Sequence, residues 1–347
     1  MSRALDAKVV AALKQADHRP AFHAISLLFT AHNGPELLEL EILGRGQPVS
    51  QGQFYLRDGN AVGVPKLVLL QAFIVARQIL QKHLLQCPRE PPEGDEVLAA
   101  TAVLLFMDAE HLTAANTRKR ILFARQRAIS RDDAGALLDR ERVFVNSLLT
   151  SRLHRHTKSP TLWSHRRWLL QRYSAAGLAV DGRRDLRVVM TSGERHPRNY
   201  YAWCHARFVA ELAVEGMSTE EQRLVWDDIK KWCFAHHDDI SGWSFLYHLA
   251  CRRLAGADDA LPAVVKETLE YAQALTWRNE SVWWFLRTAS ALLPGSAEDE
   301  ARLQEVHRLL LDSADEASED KLYLGKAWQW YKSHRGMAVG GGSSKLG

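Results

Sequence analysis

Lys158, Arg198 and Arg278 each stand five residues before a tryptophan (Trp163, Trp203 and Trp283). A cation at such a place can offset negative charge developing on a leaving group, or it can be a solvated residue beside a helix start. Tyr200 and Tyr201 follow Arg198 and Asn199, and a tyrosine suits an interface because it buries its ring and keeps its hydroxyl wet. Packing between helices is the other use for them. Arg166, Arg167 and Arg207 follow the tryptophans by three or four residues. Their planar forks can pair with carboxylates of a neighbouring element or of a partner, and the structural use is favoured. Metal chemistry is poorly served. His154-x-His156, His236-His237-Asp238-Asp239 and Cys204-His205 are the His/Cys clusters, and their spacings are not those of zinc sites. A glycine-rich phosphate loop and a nucleophile elbow are both missing from the sequence.

The elements that must position these residues are legible from a repeat. Trp163, Trp203, Trp243 and Trp283 are spaced by 40 residues. Four residues before each stands Ser159, Asn199, Asp239 or Asn279, all preferred helix N-caps. Pro160 occupies the first helical position after Ser159, where its missing N–H costs nothing. Four residues after the tryptophans stand Arg167, Arg207, Tyr247 and Arg287, on the same helix face one turn on. These tryptophans are expected to be structural core. Residues 136–151, 184–194, 219–235 and 263–276 carry apolar residues at helical spacing, and Ser218 to Glu221 reads as a capping box. Two helices per period make an antiparallel hairpin, and stacked hairpins share a continuous core. The expected fold class is all-α, a right-handed α-α superhelix (solenoid) of antiparallel helical hairpins with repeats of about 40 residues. A degraded first copy is centred near Ala115, 48 residues before Trp163, with Glu96–Met107 as its preceding helix.

The expected domains are an irregular N-terminal cap over 1–62, a helical repeat domain over 63–335 with repeats centred near 115, 163, 203, 243 and 283, and a flexible tail over 336–347. Within the cap, His23–Thr30 and Glu36–Leu43 are open between short strands and irregular structure. Leu67–His83 reads as helix, and Glu298–Leu311 and Lys321–His334 as capping helices. Composition is that of an ordinary soluble protein, with 46% hydrophobic and 25% charged residues. A formal net charge of +4 with interspersed signs does not point to nucleic acid. The longest apolar run, Val97 to Met107, is about half the ~20 residues of a membrane span. The N-terminus lacks a signal-peptide core. Four cysteines without a CxxC pair fit a reducing, cytoplasmic location.

The segments 159–173, 196–212 and 278–290 resemble repeats of the protein prenyltransferase α-subunit family, whose signature is Asn-Tyr-x-x-Trp-x-x-Arg-Arg. The resemblance covers about residues 95–335 and leans toward the family's α-like branch, because Ser159-Pro160 replaces Asn-Tyr. It implies a subunit that is not active alone. The partner would be the β subunit of Rab geranylgeranyltransferase, which holds the zinc and the geranylgeranyl diphosphate, with no cofactor bound by this chain. The pair would act as a type III geranylgeranyltransferase on a prenylated SNARE-type substrate, at a C-terminal cysteine. On the same resemblance Lys158 is a diphosphate contact, and Arg198, Asn199, Tyr200, Tyr201, His165 and Arg166 face substrate or partner. Pro160 removes the family's tyrosine hydroxyl, which implies an altered substrate preference. A divergent α subunit of farnesyltransferase or type I geranylgeranyltransferase, and a non-enzymatic helical-repeat scaffold, are the alternatives.

Overall fold

A computed structural model describes residues 17–32, 34–44, 49–50, 52–86, 95–252, 257–292 and 297–335. The 336–347 tail and Cys87 lie outside them. The chain divides into two compact units, one of Met1–Asp181 with Arg187–His205 and the other of Gly182–Leu186 with Ala206–Gly347. Both are helical, and the fold class is the expected all-α hairpin architecture.

The first unit opens with α1 (Arg19–Thr30), a three-stranded sheet and α2 (Lys66–Gln86). Residues 23–30 are therefore helix and not strand. Pro20 sits in the first turn of α1, and Phe22, Ile25 and Leu28 are buried at helical spacing. Strands β1 (Glu39–Leu43), β2 (Leu56–Asp58) and β3 (Ala61–Pro65) lie in the order β1-β3-β2. β1 runs parallel and β2 antiparallel to β3. Gly59 has φ +56° in the two-residue turn between β2 and β3, a conformation that costs glycine no Cβ clash. The entry to β1 is tied to the repeats by the Leu38 N–H, which donates to Ser147 Oγ at 2.9 Å.

The repeats of this unit follow. α3 (Asp95–Met107) precedes α4 (Leu112–Ala128) and α5 (Arg131–Leu149), then comes the single turn α6 (His154–Thr157), and then α7 (Pro160–Ala175). α4 packs on α5 and α7, and α5 on α7. The 48-residue offset of the first copy has a plain cause. α5 has 19 residues against 14 in the corresponding helix of the next repeat, α8 (Gly182–Arg195), and α6 adds a turn. α9 (Tyr200–Val209) follows and ends in a π turn, Ala210–Val214.

The second unit contains α10 (Thr219–Ala235), α11 (Ile240–Cys251), α12 (Ala257–Ala274), α13 (Glu280–Leu292), α14 (Ala297–Asp312) and α15 (Glu319–His334). α11, α13 and α15 pack in one row, with α12 and α14 in contact beside them. The capping box of Ser218 and Glu221 forms. Gly242 opens the way for this row. A Cβ there would collide with the Trp232 ring, so α11 approaches α10 only with glycine at that position.

One repeat signature explains the packing in both units. All four 40-spaced tryptophans are buried. The indole N–H of Trp163, Trp243 and Trp283 donates to the carbonyl six residues earlier, on Thr157, His237 and Trp277, at 2.8, 3.1 and 2.9 Å. The residue two after a repeat's tryptophan packs on the tryptophan before it. His205 meets Trp163 at a ring-centroid distance of 5.2 Å, and Phe285 meets Trp243 at 4.8 Å.

The caps do double service. Ser159, Asn199, Asp239 and Asn279 each accept a first-turn N–H. Three of them also reach back one repeat, to the residue two before its cap. Ser159 Oγ donates to Ala109 O at 3.0 Å, Asn199 Nδ2 to Thr157 O at 2.8 Å, and Asn279 Nδ2 bonds His237 Nδ1 at 2.8 Å. In the degraded first repeat His111 takes the cap position and accepts from the Ala114 N–H.

Candidate functional site

The predicted site residues separate into an interior and an exposed group. The interior group is a polar network inside the first unit. Arg118 Nε donates to both Glu141 oxygens at 2.8 and 2.9 Å, and its Nη2 lies 2.7 Å from Oε2. The remaining Arg118 nitrogen, Nη1, donates to Leu98 O and Thr101 Oγ1, and the guanidinium lies 4.1 Å from the centre of the Phe144 ring. His165 Nε2 stands 2.8 Å from Glu141 Oε1. Burial by itself would raise the Glu141 pKa, but the Arg118 charge and the His165 contact outweigh it and hold the carboxyl at about 2. Burial lowers the pKa of His165.

Arg166 belongs to the same interior. Its Nε donates to Asn146 Oδ1 at 2.9 Å, and its Nη1 bonds His205 Nε2. A guanidinium can only donate, so the His205 nitrogen must be the bare acceptor. Burial, followed by the charges of Arg166 and Arg167, lowers the His205 pKa well below its ordinary value.

These contacts correct part of the expectation. His165 and Arg166 have 0% exposure and Asn199 1%, so their side chains are not on a surface that a partner could touch. Each is committed to holding adjacent repeats together. Arg166 pairs with the Asn146 amide and the His205 imidazole. Arg118 and Glu141, which carry the network's charge, did not emerge from the sequence as site residues. The signal for Arg118 was its register, since it stands three residues after Ala115 as Arg166 does after Trp163.

The exposed group lies on two turns. Lys158, Arg198, Tyr200 and Tyr201 are all exposed. The turn that contains α6 and Lys158 lies against the turn from Arg195 to Asn199. The His154 and His196 rings are 4.1 Å apart, and Thr157 O accepts from both Asn199 Nδ2 and Ser192 Oγ. Arg198 sits at the exit of the second turn with φ +58°. Tyr200 and Tyr201 meet edge to face at 5.5 Å. Arg167 is exposed on α7, and in the second unit Arg207 donates to Ser244 Oγ at 2.8 Å.

A cavity of about 1580 Å³ opens elsewhere in the first unit, among α1 to α5. Arg118, Glu141, Phe22, Ile74 and Phe144 line it, and the exposed predicted residues do not. Among the described residues no three His, Cys, Asp or Glu side chains gather where they could hold a metal. No helix among them is long and apolar enough to cross a membrane. Cys204, Cys233 and Cys251 are free thiols.

Comparison with known proteins places this geometry. Residues 139–173 match the family model described as protein prenyltransferase alpha subunit repeat, and residues 162–268 match one described as ECM9 middle domain. The first match runs from within α5 through α6 into α7 and so includes Lys158 and Trp163. The chain is 28% identical over 197 residues to protein prenyltransferase alpha subunit repeat-containing protein 1 of Danio rerio, covering 50% of this chain and 42% of that one. It is 24% identical over 263 residues to the Homo sapiens protein of that name, covering 68% and 57%. It is also 28% identical over 208 residues to geranylgeranyl transferase type-2 subunit alpha of Mus musculus, covering 57% and 34%. The chain spans about half the length of these curated relatives.

Proposed function

We infer that this chain, which belongs to the protein prenyltransferase alpha subunit repeat family, is the α-like subunit of a heterodimeric protein geranylgeranyltransferase of type III. Its partner is the β subunit of the Rab enzyme, and its own part is to select a prenylated SNARE-type substrate in the cytoplasm. The observation that carries this reading is the exposed pair of turns, with Lys158 beside Arg198, Tyr200 and Tyr201 on a rigid repeat frame.

The β subunit would supply zinc to activate the acceptor cysteine and would hold the isoprenoid diphosphate. The residues of this chain would do three things. Lys158 would present its ammonium to the departing diphosphate, where charge develops. Tyr200 and Tyr201 would bury their rings against the partner. The caps Ser159 and Asn199 would fix both turns, so that little ordering remains to be done on binding.

The test is geranylgeranyl transfer to a farnesylated SNARE-type acceptor by the β subunit, with and without this chain. Transfer is expected only with both chains. Lys158→Ala should lower kcat by about 10²-fold, the scale of removing one such electrostatic contact, with pairing intact. Equal rates with and without the chain would refute the reading.

A further inference from the structure

The cavity of the first unit is a groove with the length of one helix. Along α2, Leu70, Ile74, Gln78, Lys82 and Gln86 all line it, at the spacing of a single helix face. From Leu70 to Gln86 that face runs for about 24 Å, at ~1.5 Å per residue. Three other helices do the same over shorter stretches. α1 contributes Phe22, Ser26 and Phe29, α4 contributes Arg118, Leu122 and Arg125, and α5 contributes Leu137, Glu141 and Phe144. Each set steps by four residues and then three, which is one face again.

Size and chemistry narrow what fills it. A volume of about 1580 Å³ exceeds the ~300–1,000 Å³ of small-molecule sites, so a compact ligand would leave part of the walls bare. Apolar side chains from all four helices line the groove, and exposed charges of both signs, Lys82, Arg140 and Glu96, stand among them. An apolar groove flanked by charge is the form that receives an amphipathic helix. The sequence offers one at the groove's own edge. Asp17 lines the groove just ahead of α1, so the residues before it join the chain at that edge. They read MSRALDAKVVAALKQA, with Leu5, Val9, Ala12 and Leu13 at i, i+4, i+7 and i+8, one apolar helix stripe. Asp6 and Lys8 fall on its two flanks, so the stripe too is bordered by both signs.

We propose that residues 1–16, which precede the first described residue, fill this groove as an amphipathic helix. Those residues make about 24 Å of helix, the length of the α2 face. Leu5, Val9 and Leu13 would lie on the apolar walls, with Asp6 and Lys8 toward the exposed charges. Removing that apolar surface from water drives the docking, and the covalent tether holds the segment at an effective concentration of about millimolar. A helix of a partner protein would have to displace it. The proposal does not rest on the subunit reading, because Lys158, Arg198, Tyr200 and Tyr201 do not line the groove.

Hydrogen exchange of the full chain, read by mass spectrometry over α2, tests this. The variant Leu5→Asp/Val9→Asp should exchange faster than wild type across residues 70–86, by about tenfold or more. α15 in the second unit should exchange alike in both, which separates an emptied groove from a loosened fold. A peptide of residues 1–16 added at about 1 mM, the scale of the tether's effective concentration, should restore the slow exchange. The same peptide carrying both aspartates should not. Equal exchange in wild type and variant would overturn the proposal, as would a change in α15 as large as in α2. Failure of the unaltered peptide to restore slow exchange would overturn it too. So would wild-type exchange over α2 that quickens on dilution, since the occupant would then come from a second copy.

Discussion

Buried titratable side chains give the first unit its response to acid. His156 Nε2 donates to Leu105 O and Phe106 O, and burial lowers its pKa. His165 and His205 are lowered for the same first reason. Each is neutral in the fold and takes up a proton on unfolding once pH drops below about 6.5, the ordinary histidine value. The unfolded state then binds more protons, so stability falls as pH falls. Glu141 acts lower down. Its pKa of about 2 lies beneath the ordinary 4.5, so its contribution is complete above 4.5 and is lost as pH descends toward 2. Melting followed by circular dichroism should therefore give a steady Tm above pH 7, a decline from pH 6.5, and a further decline below 4.5. A constant Tm between pH 7 and 5 would contradict this account. The sequence could not show this network, because Arg118, Glu141 and His165 meet across separations of 23 and 24 residues, on three different helices. It did show the tryptophans as core, since their spacing and their caps are local.

At the scale of elements, the N-caps join neighbouring repeats as well as starting helices. Asn199 shows the two roles in separate atoms. Its Oδ1 caps α9 at Ala202 N, and its Nδ2 donates to Thr157 O. Asn199→Asp keeps the capping oxygen and removes the donor, leaving a carboxylate facing a carbonyl. Loss of a buried hydrogen bond costs about 1–3 kcal/mol, and Asn199→Ala would add the loss of the cap, about 1 kcal/mol. Urea denaturation of the full chain should place both variants below wild type. An Asp variant as stable as wild type would mean that the inter-repeat bond contributes nothing. Helix starts were readable because a cap, a proline and a capping box are written in adjacent residues. The reach of the caps into the previous repeat was not, since it depends on how the hairpins stack. Residues 23–30 were misread for a related reason: the run of apolar residues there is short, and periodicity alone does not separate a strand from a buried helix over such a length.

At the scale of the molecule, residues 139–173 match the protein prenyltransferase alpha subunit repeat model, and the sequence carried that far because the signature recurs. It led less surely to the site. Family register put Lys158, Arg198, Tyr200 and Tyr201 together, and all four are exposed. The same register put His165, Arg166 and Asn199 with them, although their side chains point inward and hold the frame. Periodicity assigns a residue to a position in the repeat. Whether that position is wet depends on neighbours such as Ala115, which stands where the other repeats have tryptophan. The division of labour at the centre of this account requires that the chain form a stable complex with a β subunit. Co-expression with the Rab-type, farnesyltransferase and type I geranylgeranyltransferase β subunits, followed by size exclusion, tests it most directly. The account predicts a one-to-one complex with the Rab-type β subunit alone. Elution of this chain apart from all three would contradict it.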